Sequence, residues 1–497
     1  MQTLISIWPH AWQPISERSQ NEPEVTRMGL LCRTLILCMT MLLLAVGGNA
    51  TPNALPDPPT DKPQWATIPA SDPLIAQFAN VSEVNKIYWT SVIPDGNSRF
   101  FLSNHPESFG QLIRLADGYP DQALGTEWPV RGINRILWYD IGQGRGNVDY
   151  RVLINHQNYY GAERGQPGID VYIGVVAENL SGVPVSISGG WSGHRGPWGS
   201  LWSLPGEVNS YNELTGALPN TINTTVASGE KALLTYWLLP PGSINVHMKL
   251  HCNNENPTNV VRCKLSTILT FSDPAQTLAG DTVPVYKKPM TLIEHHGPHP
   301  RGSWSFAEQS VTNIGNMYDI GAETSSLKIL PLYTQIGNGP GNKSFAYDIS
   351  QTGGDPGSGW NHAIGADTPG GHSYNSREST TNTGMYGVIS HVKVYVKNST
   401  TVPKNLAIQF YYLPTDRGTF NGACRILDDT NTWEVRRIDL RRSFYPRTTT
   451  TTTDSPLATD IVKQYSVPAN CASKAIQFDI ITDGPGTLPL GIVIRRL

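Results

Sequence analysis

Charge is scarce in this chain. Asp, Glu, Lys and Arg make up 15% of its 497 residues, against roughly a quarter in an ordinary soluble domain. The formal net charge is only −3. Nothing in that balance attracts nucleic acid or an anionic membrane surface, so neither is an expected partner. Also missing is a sustained apolar period of 3.6, the mark of amphipathic helices. No GxSxG elbow occurs, and the Gly-rich loops lack the Lys and helix start of a phosphate cradle. No CxxC pair and no Cys/His zinc spacing is present. The Asp and Glu residues, Asp170, Glu178, Glu207 and Glu294 among them, are scattered, and no spacing singles out a hydrolytic pair.

What the chain does have is turn chemistry and alternation. Gly (47) and Pro (38) are abundant, and they punctuate short runs of β-type residues. Ile87–Ile93, Arg99–Ser103, Arg135–Ile141, Val148–His156, Ala232–Leu239, Ile244–Cys252 and Cys263–Phe271 read as strands in the first half. Lys328–Tyr333, Tyr386–Lys397, Ala407–Leu413, Lys474–Ile481 and Leu490–Ile494 do so in the second. The clearest signal is Ile169–Trp202. There Val171, Ile173, Val175 and Ala177 alternate with mixed residues, Asn179–Gly182 breaks the run, and Val183, Val185 and Ile187 resume it. That pattern predicts a hairpin.

The N-terminus reads as an export signal. Arg33 precedes the apolar run Thr34–Val46, and small residues up to Ala50 suit cleavage there. The run is too short to span a bilayer comfortably. Met28 is a candidate start. After cleavage no membrane span is expected. Thr51–Ala70 is Pro-rich without an apolar period and reads as an extended linker. The fold expected is therefore all-β: residues 1–50 an N-terminal extension and signal peptide, 51–73 a linker, then two tandem β-sandwich domains, 74–280 and 281–497.

A faint echo links the halves. Asn147–Val152, Glu178-Asn179, Val183-Pro184 and His194-Arg195-Gly196 recur in order as Met385–Val388, Lys397-Asn398, Val402-Pro403 and Asp416-Arg417-Gly418. A duplicated sandwich would explain it.

Export also bears on cysteine. Cys32 and Cys38 leave with the signal, so four remain, which allow three pairings. The local pairs Cys252–Cys263 and Cys424–Cys471 are expected, each within one domain.

The loop from Gly189 carries the densest binding-type side chains. Trp191, Trp198 and Trp202 offer flat apolar faces to sugar rings, and His194 and Arg195 offer donors. The plainer alternative is that these tryptophans plug the open end of a sandwich, the usual fate of Trp. In Glu294–His299, His296 and His299 are weak metal candidates. Adjacent His295 and His296 point to opposite faces of a strand, so no metal site and no cofactor is expected. The Gly353–Asn382 loop lacks the dense acidic repeat of a calcium loop. Thr448–Thr453 reads as an exposed spacer.

Phe101–Glu107, Tyr150–His156, Ala177-Glu178-Asn179 and Gly384–Val388 resemble a group of uncharacterised secreted proteins of Gram-positive bacteria. These often stand beside a stalk-like module similar to the N-terminal domain of copper amine oxidases. The stalk module itself is not found in this chain. The resemblance implies an extracellular or envelope role and carries over no catalytic residue. The reading is a secreted or cell-surface non-catalytic protein that acts in adhesion or in recognition of a glycan or envelope polymer. A secreted carbohydrate-active enzyme and a structural subunit of a surface layer or filament are the alternatives, and self-association stays open.

Overall fold

The computed structural model describes residues 51–59, 65–66, 71–72, 87, 89–95, 97–104, 108–109, 132–158, 160, 168–196, 203–292, 302–304, 307–322, 327–331, 387–412, 420–440, 457–482 and 490–497. Pro52–Leu497 forms one compact unit. It is all-β but for one α-helix and a short 3-10 turn among the described residues. No described helix is long and apolar enough to cross a membrane.

Four sheets carry the fold. The first runs β10 (Lys231–Leu239), β7 (Val171–Asn179), β12 (Val260–Thr270), β5 (Arg135–Arg145), β13 (Thr291–Leu292). The second runs β14 (Gly302–Trp304), β3 (Ser98–Ser103), β6 (Asn147–Asn158), β11 (Gly242–Asn253), β8 (Val185–Gly196), β9 (Asn220–Val226), with β4 (Ser108–Phe109) also on β6. Between them lies one core. Ile173, Val175, Trp237 and Leu265 from the first sheet meet Ile154, Trp191, Val246 and Met248 from the second.

The third sheet runs β1 (Trp65–Ala66), β21 (Trp433–Leu440), β20 (Phe420–Leu427), β24 (Cys471–Thr482), β18 (Ile389–Asn398), β15 (Glu308–Thr312), β2 (Ser91–Asp95), with β16 (Tyr318–Asp319) on β18. The fourth runs β17 (Leu327–Pro331), β25 (Leu490–Arg496), β19 (Lys404–Tyr412), β22 (Leu457–Ala458), with β23 (Lys463–Val467) on β19. Val394, Ile426 and Phe478 face Ile408, Phe410 and Ile494 in the second core.

Position 280/281 is crossed in both directions. β2 joins the third sheet through β15. β14 pairs with β3, and β13 lies parallel to β5. The two cores are thus not built from two contiguous stretches. Where it is described, the Pro-rich segment is fastened to the sheets. Asn53 N–H donates to Tyr236 O at 2.9 Å and Arg195 N–H to Pro56 O at 3.1 Å. Leu55 packs on the first core, and β1 pairs with β21.

The stretch expected to be a hairpin is not one. β7 and β8 lie in different sheets, so residues 180–184 form an arch over the end of the sandwich. The buried Asn179 explains the arch. Its Nδ2 donates to Val183 O and Val226 O, both at 2.8 Å, and its Oδ1 accepts from Ser181 N–H at 2.8 Å. These bonds satisfy backbone groups that a ladder would otherwise have paired.

The same arch recurs. β18 and β19 also lie in different sheets. Buried Asn398 donates to Val402 O at 2.9 Å and Val467 O at 3.3 Å, and accepts from Thr400 N–H at 3.1 Å. The surrounding pairings match strand for strand. In the first half β10 pairs β7, β9 and β11 pair β8, and β6 pairs β11, all antiparallel. In the second half β24 pairs β18, β23 and β25 pair β19, and β17 pairs β25, again all antiparallel. Six strands thus recur in one chain order and one pairing scheme. Asn179 and Asn398 and the Val-Pro pairs of the sequence echo fall at matching places in it, whereas Asn147–Val152 and Met385–Val388 do not, since β6 matches β17; Asp416-Arg417-Gly418 lies outside the described residues.

The halves differ in what they insert. After β8 comes helix α1 (Ser203–Thr215). After β19, at the matching place, comes the hairpin β20–β21. The two insertions pack on each other, and the other side of α1 lies on β8 and β11. Sequence periodicity does not show this helix, because most of its buried side chains are polar: Glu207, Asn209, Ser210 and Glu213 are buried beside Val208 and Leu214. Pro205 sits in the first turn, where its missing N–H costs nothing. Gly216, at φ +74, follows the last turn. Gly216 N–H donates to Glu213 O at 3.1 Å and Ala217 N–H to Asn212 O at 2.8 Å, the paired bonds of a Schellman cap.

All four cysteines in the described residues are free thiols. The expected Cys424–Cys471 bridge is ruled out by register. Cys424 stands opposite Ile480 on β24, and Cys471 begins that strand nine residues earlier. At about 3.3 Å per residue the separation is roughly 30 Å, far beyond the ~7 Å between Cα atoms that a disulfide tolerates.

Candidate functional site

The residues expected to form a binding loop do not converge. β8 continues to Gly196, paired with β11 as far as Ser243↔Gly196, so 189–196 is strand and not loop. Its glycines serve close packing. A Cβ on Gly189 would stand 2.0 Å from Lys249 O, and one on Gly193 would stand 2.9 Å from Val246 Cγ2. Trp191 is 2% exposed and meets Trp237 edge-to-face at 5.1 Å. It is a core plug, and its ring is closed to any sugar. His194 is buried under α1, with Nδ1 2.7 Å from Asn209 Oδ1, and burial pushes its pKa down. Arg195 points elsewhere, to Asp57, with Nε 2.7 Å from Oδ1. Trp198, Trp202, His296 and His299 lie outside the described residues. Among the described residues no group of three or more His, Cys, Asp or Glu is placed to hold a metal ion.

What converges instead is a polar seam between the halves. β11 alternates strictly. Val246, Met248, Leu250 and Cys252 face the first core, so Asn245, His247, Lys249 and His251 must face outward. Helix α1 covers the first two of these. Asn209 Nδ2 donates to Asn245 Oδ1 at 2.7 Å, and its Oδ1 accepts from Ser192 Oγ at 2.8 Å. Glu213 is the hub. Arg151 Nε lies 2.6 Å away, His247 Nδ1 2.8 Å and Lys249 Nζ 3.6 Å. Burial alone would raise the Glu213 carboxyl. Arg151 and His247 outweigh it and hold the group well below the usual carboxylate range. Arg151 also donates to Ala307 O at 2.7 Å. On the other flank Glu207 pairs with Arg437 of β21 at 3.3 Å.

Beyond the end of α1 the seam opens into a groove of about 230 Å³. Ser98, Asp149, Arg151, Ser188, Lys249 and His251 line it from the outer face of the second sheet, and Glu308 from β15 closes it. His251 Nδ1 hydrogen-bonds Asp149 Oδ1. Glu308 leads into a second relay. Its Oε2 is 3.0 Å from His391 Nε2, whose Nδ1 is 2.7 Å from Asp479 Oδ1, and Arg425 Nε holds Asp479 at 2.5 Å. Burial works against a charged His391, but its hydrogen bonds to Asp479 and Glu308 prevail and push its pKa up to about 9. His391 in turn lowers Glu308, against its burial.

The groove balances its charges. Asp149 and Glu308 stand against Arg151 and Lys249, with serine hydroxyls and an imidazole beside them. Such a lining gives donors and acceptors in similar number and no net field for an ion. Its one tyrosine, Tyr150, is 1% exposed, so no aromatic face is offered. The outward row of β11 was legible in the alternation of residues 245–252. Its partners on β6 and β15 lie far away in sequence.

No protein-family model and no curated protein matches the chain. Among solved structures it is similar to the PBSX exported protein XepA, at 9% identity and a TM-score of 0.13, over 73% of this chain and 86% of that one. It is also similar to the N-terminal CBM22-1-CBM22-2 tandem domain from Paenibacillus barcinonensis Xyn10C, at 9% identity and a TM-score of 0.12, over 74% and 92%. At these scores neither likeness carries an argument about fold or function.

Proposed function

We propose that the protein is an exported, non-catalytic recognition protein that binds a polyhydroxylated ligand, a glycan of the envelope or extracellular matrix, in the groove at the seam. One observation carries this reading. The groove presents closely spaced donors and acceptors of both signs, with no net charge to select an ion. Neutral sugars carry hydroxyls that donate and accept together, and such a surface satisfies both. Glu308 is poorly suited to act as a general acid. A general acid needs a raised pKa, whereas His391 holds Glu308 low. Export rests on Arg33, the run Thr34–Val46 and the small residues to Ala50.

The test is calorimetric titration of the purified protein with a panel of soluble bacterial and matrix polysaccharides, beside Lys249→Ala/His251→Ala. Both side chains are nearly half exposed, so the variant keeps its fold, which circular dichroism verifies. Binding by the native protein that falls at least tenfold in the variant supports the reading. Equal binding moves the site elsewhere. Release of reducing ends during the titration makes the protein an enzyme and overturns the proposal.

A further inference from the structure

Glu308, which closes the groove, is also the first residue of β15, a strand of the third sheet. The outer face of that sheet follows from its core. Val392 and Val394 on β18, Phe478 on β24 and Ile426 on β20 point inward, so His391, Asp479 and Arg425 point out. Register sets these three side by side, His391 opposite Asp479 and Asp479 opposite Arg425.

Their side chains form an unbroken run that starts in the groove. Glu308 binds His391, His391 binds Asp479, and Asp479 binds Arg425. The Arg425 guanidinium then lies over the ring of Trp433 on β21, 4.8 Å from its centre. From β15 through β18, β24 and β20 to β21 the run crosses four strand spacings. At ~4.8 Å each it is roughly 19 Å long.

Helix α1 walls the run on one side. Leu214 packs on Ile389, Ala423 and Ile481, with Tyr211 and Val435 beside them, and these sheet residues stand one outward position along from His391, Arg425 and Asp479. The row on the other side is open. Lys393 and Trp433 are exposed there, and Gln477 is half-buried. Exposure grows away from the groove. The side chains of Glu308 and Arg425 are 25% and 34% exposed, and Trp433 as a residue is 40% exposed. Stacking on the guanidinium holds the indole in place, and an aromatic anchor held in this way binds at low entropic cost.

We propose that the binding site continues out of the groove along this run, and that it takes a linear neutral glycan several sugar units long, laid across the strands from the groove to the Trp433 indole. This rests on the groove reading and adds the length and direction of the ligand. The track resembles the groove in its charge. Glu308 and Asp479 are matched by Arg425 and by His391, cationic between two carboxylates, so a charged polymer finds no net field. Asp479 takes only Nε of Arg425. The terminal amino groups have no partner among the described residues and donate to sugar hydroxyls. The indole takes the apolar CH face of a ring. A monosaccharide or a short chain fills the groove and leaves Trp433 bare.

The test is calorimetric titration of the full chain with two-unit and six-unit oligosaccharides of glucose, galactose, mannose and N-acetylglucosamine. Native protein is compared with Trp433→Ala, Trp433→Tyr and Lys249→Ala/His251→Ala, each checked for folding by circular dichroism. For a sugar that binds, the six-unit chain should bind native protein at least tenfold more tightly than the two-unit chain. Trp433→Ala should remove that gain and leave the two-unit chain unchanged, and Trp433→Tyr, which keeps an aromatic face, should retain most of it. Lys249→Ala/His251→Ala should weaken both lengths. Equal affinity of native protein for the two lengths, or a six-unit chain that binds Trp433→Ala as tightly as native, overturns the track while the groove reading stands. No binding by any of the chains, or binding of both lengths untouched by Lys249→Ala/His251→Ala, overturns the groove reading and the track with it.

Discussion

Removing the charge of Glu213 should be among the most damaging single changes in the molecule. Its carboxylate is 3% exposed and holds Arg151, itself 4% exposed, at 2.6 Å. It also holds His247 at 2.8 Å. In Glu213→Gln the volume barely changes, so no cavity term enters. What changes is charge. Arg151 keeps its bond to Ala307 O, a neutral partner, and feels Glu308, but it stays buried with its bonded anion gone. Breaking a buried pair in this way costs about 3–5 kcal/mol. The pair also links β6 to α1, which packs on β20 and β21, so the loss falls on the seam between the halves. Urea unfolding followed by circular dichroism measures it, as a lower midpoint at unchanged slope. Adding Arg151→Met to Glu213→Gln should recover part of the loss, because the orphan charge goes with it. A Glu213→Gln loss under about 1 kcal/mol, typical of an exposed pair, would refute the reasoning. So would a double variant less stable than the single one.

Three further outcomes follow from the same geometry. His391 is held at about 9 between Asp479 and Glu308, above its unfolded value of ~6.5. Its contribution is therefore full below that unfolded value and lost as pH rises toward 9. Melting temperature should fall between those limits, and His391→Gln should flatten that fall. A fall of unchanged size in the variant sinks this assignment. Asn179→Ala and Asn398→Ala should each cost about 1–3 kcal/mol in denaturant titrations, since each strands buried carbonyls that the amide satisfies. Effects that differ severalfold would break the equivalence of the two arches. Trp191→Ala should cost about 3–5 kcal/mol as a core truncation, and a fully stable variant would show that Trp191 is not a plug.

How much was legible in the sequence divides by physical range. Strand alternation is local, so β7, β8, β11, β18 and β24 could be read from period and turns. The arches could not. A Val-rich run, an Asn-containing break and a second Val-rich run look alike whether the second strand pairs with the first or crosses to the facing sheet. Only the buried amide of Asn179, bonded to Val226 O from a strand far along the chain, decides it. Helix α1 stayed hidden because it buries Glu207, Asn209 and Glu213, the reverse of the usual pattern. Glycine misled in the other direction. Gly189, Gly190 and Gly193 suggested a loop, yet they permit close strand packing beside Lys249 and Val246. The tryptophans suggested a sugar platform, and Trp191 lies in the core. The groove itself was half visible, as the outward row of β11. Asp149 and Glu308 join it only through the fold.

The central claim is that the seam groove, and not the tryptophan stretch, holds the ligand. The most direct measurement is retention on an insoluble cell-envelope or matrix polysaccharide by Ser188→Trp beside Trp191→Phe. Ser188 is exposed at the groove floor, so an indole there fills the groove from outside. Trp191→Phe alters only the buried core. The account predicts that the native protein and Trp191→Phe are retained and that Ser188→Trp is washed through while still folded. Retention of Ser188→Trp at the native level would contradict it.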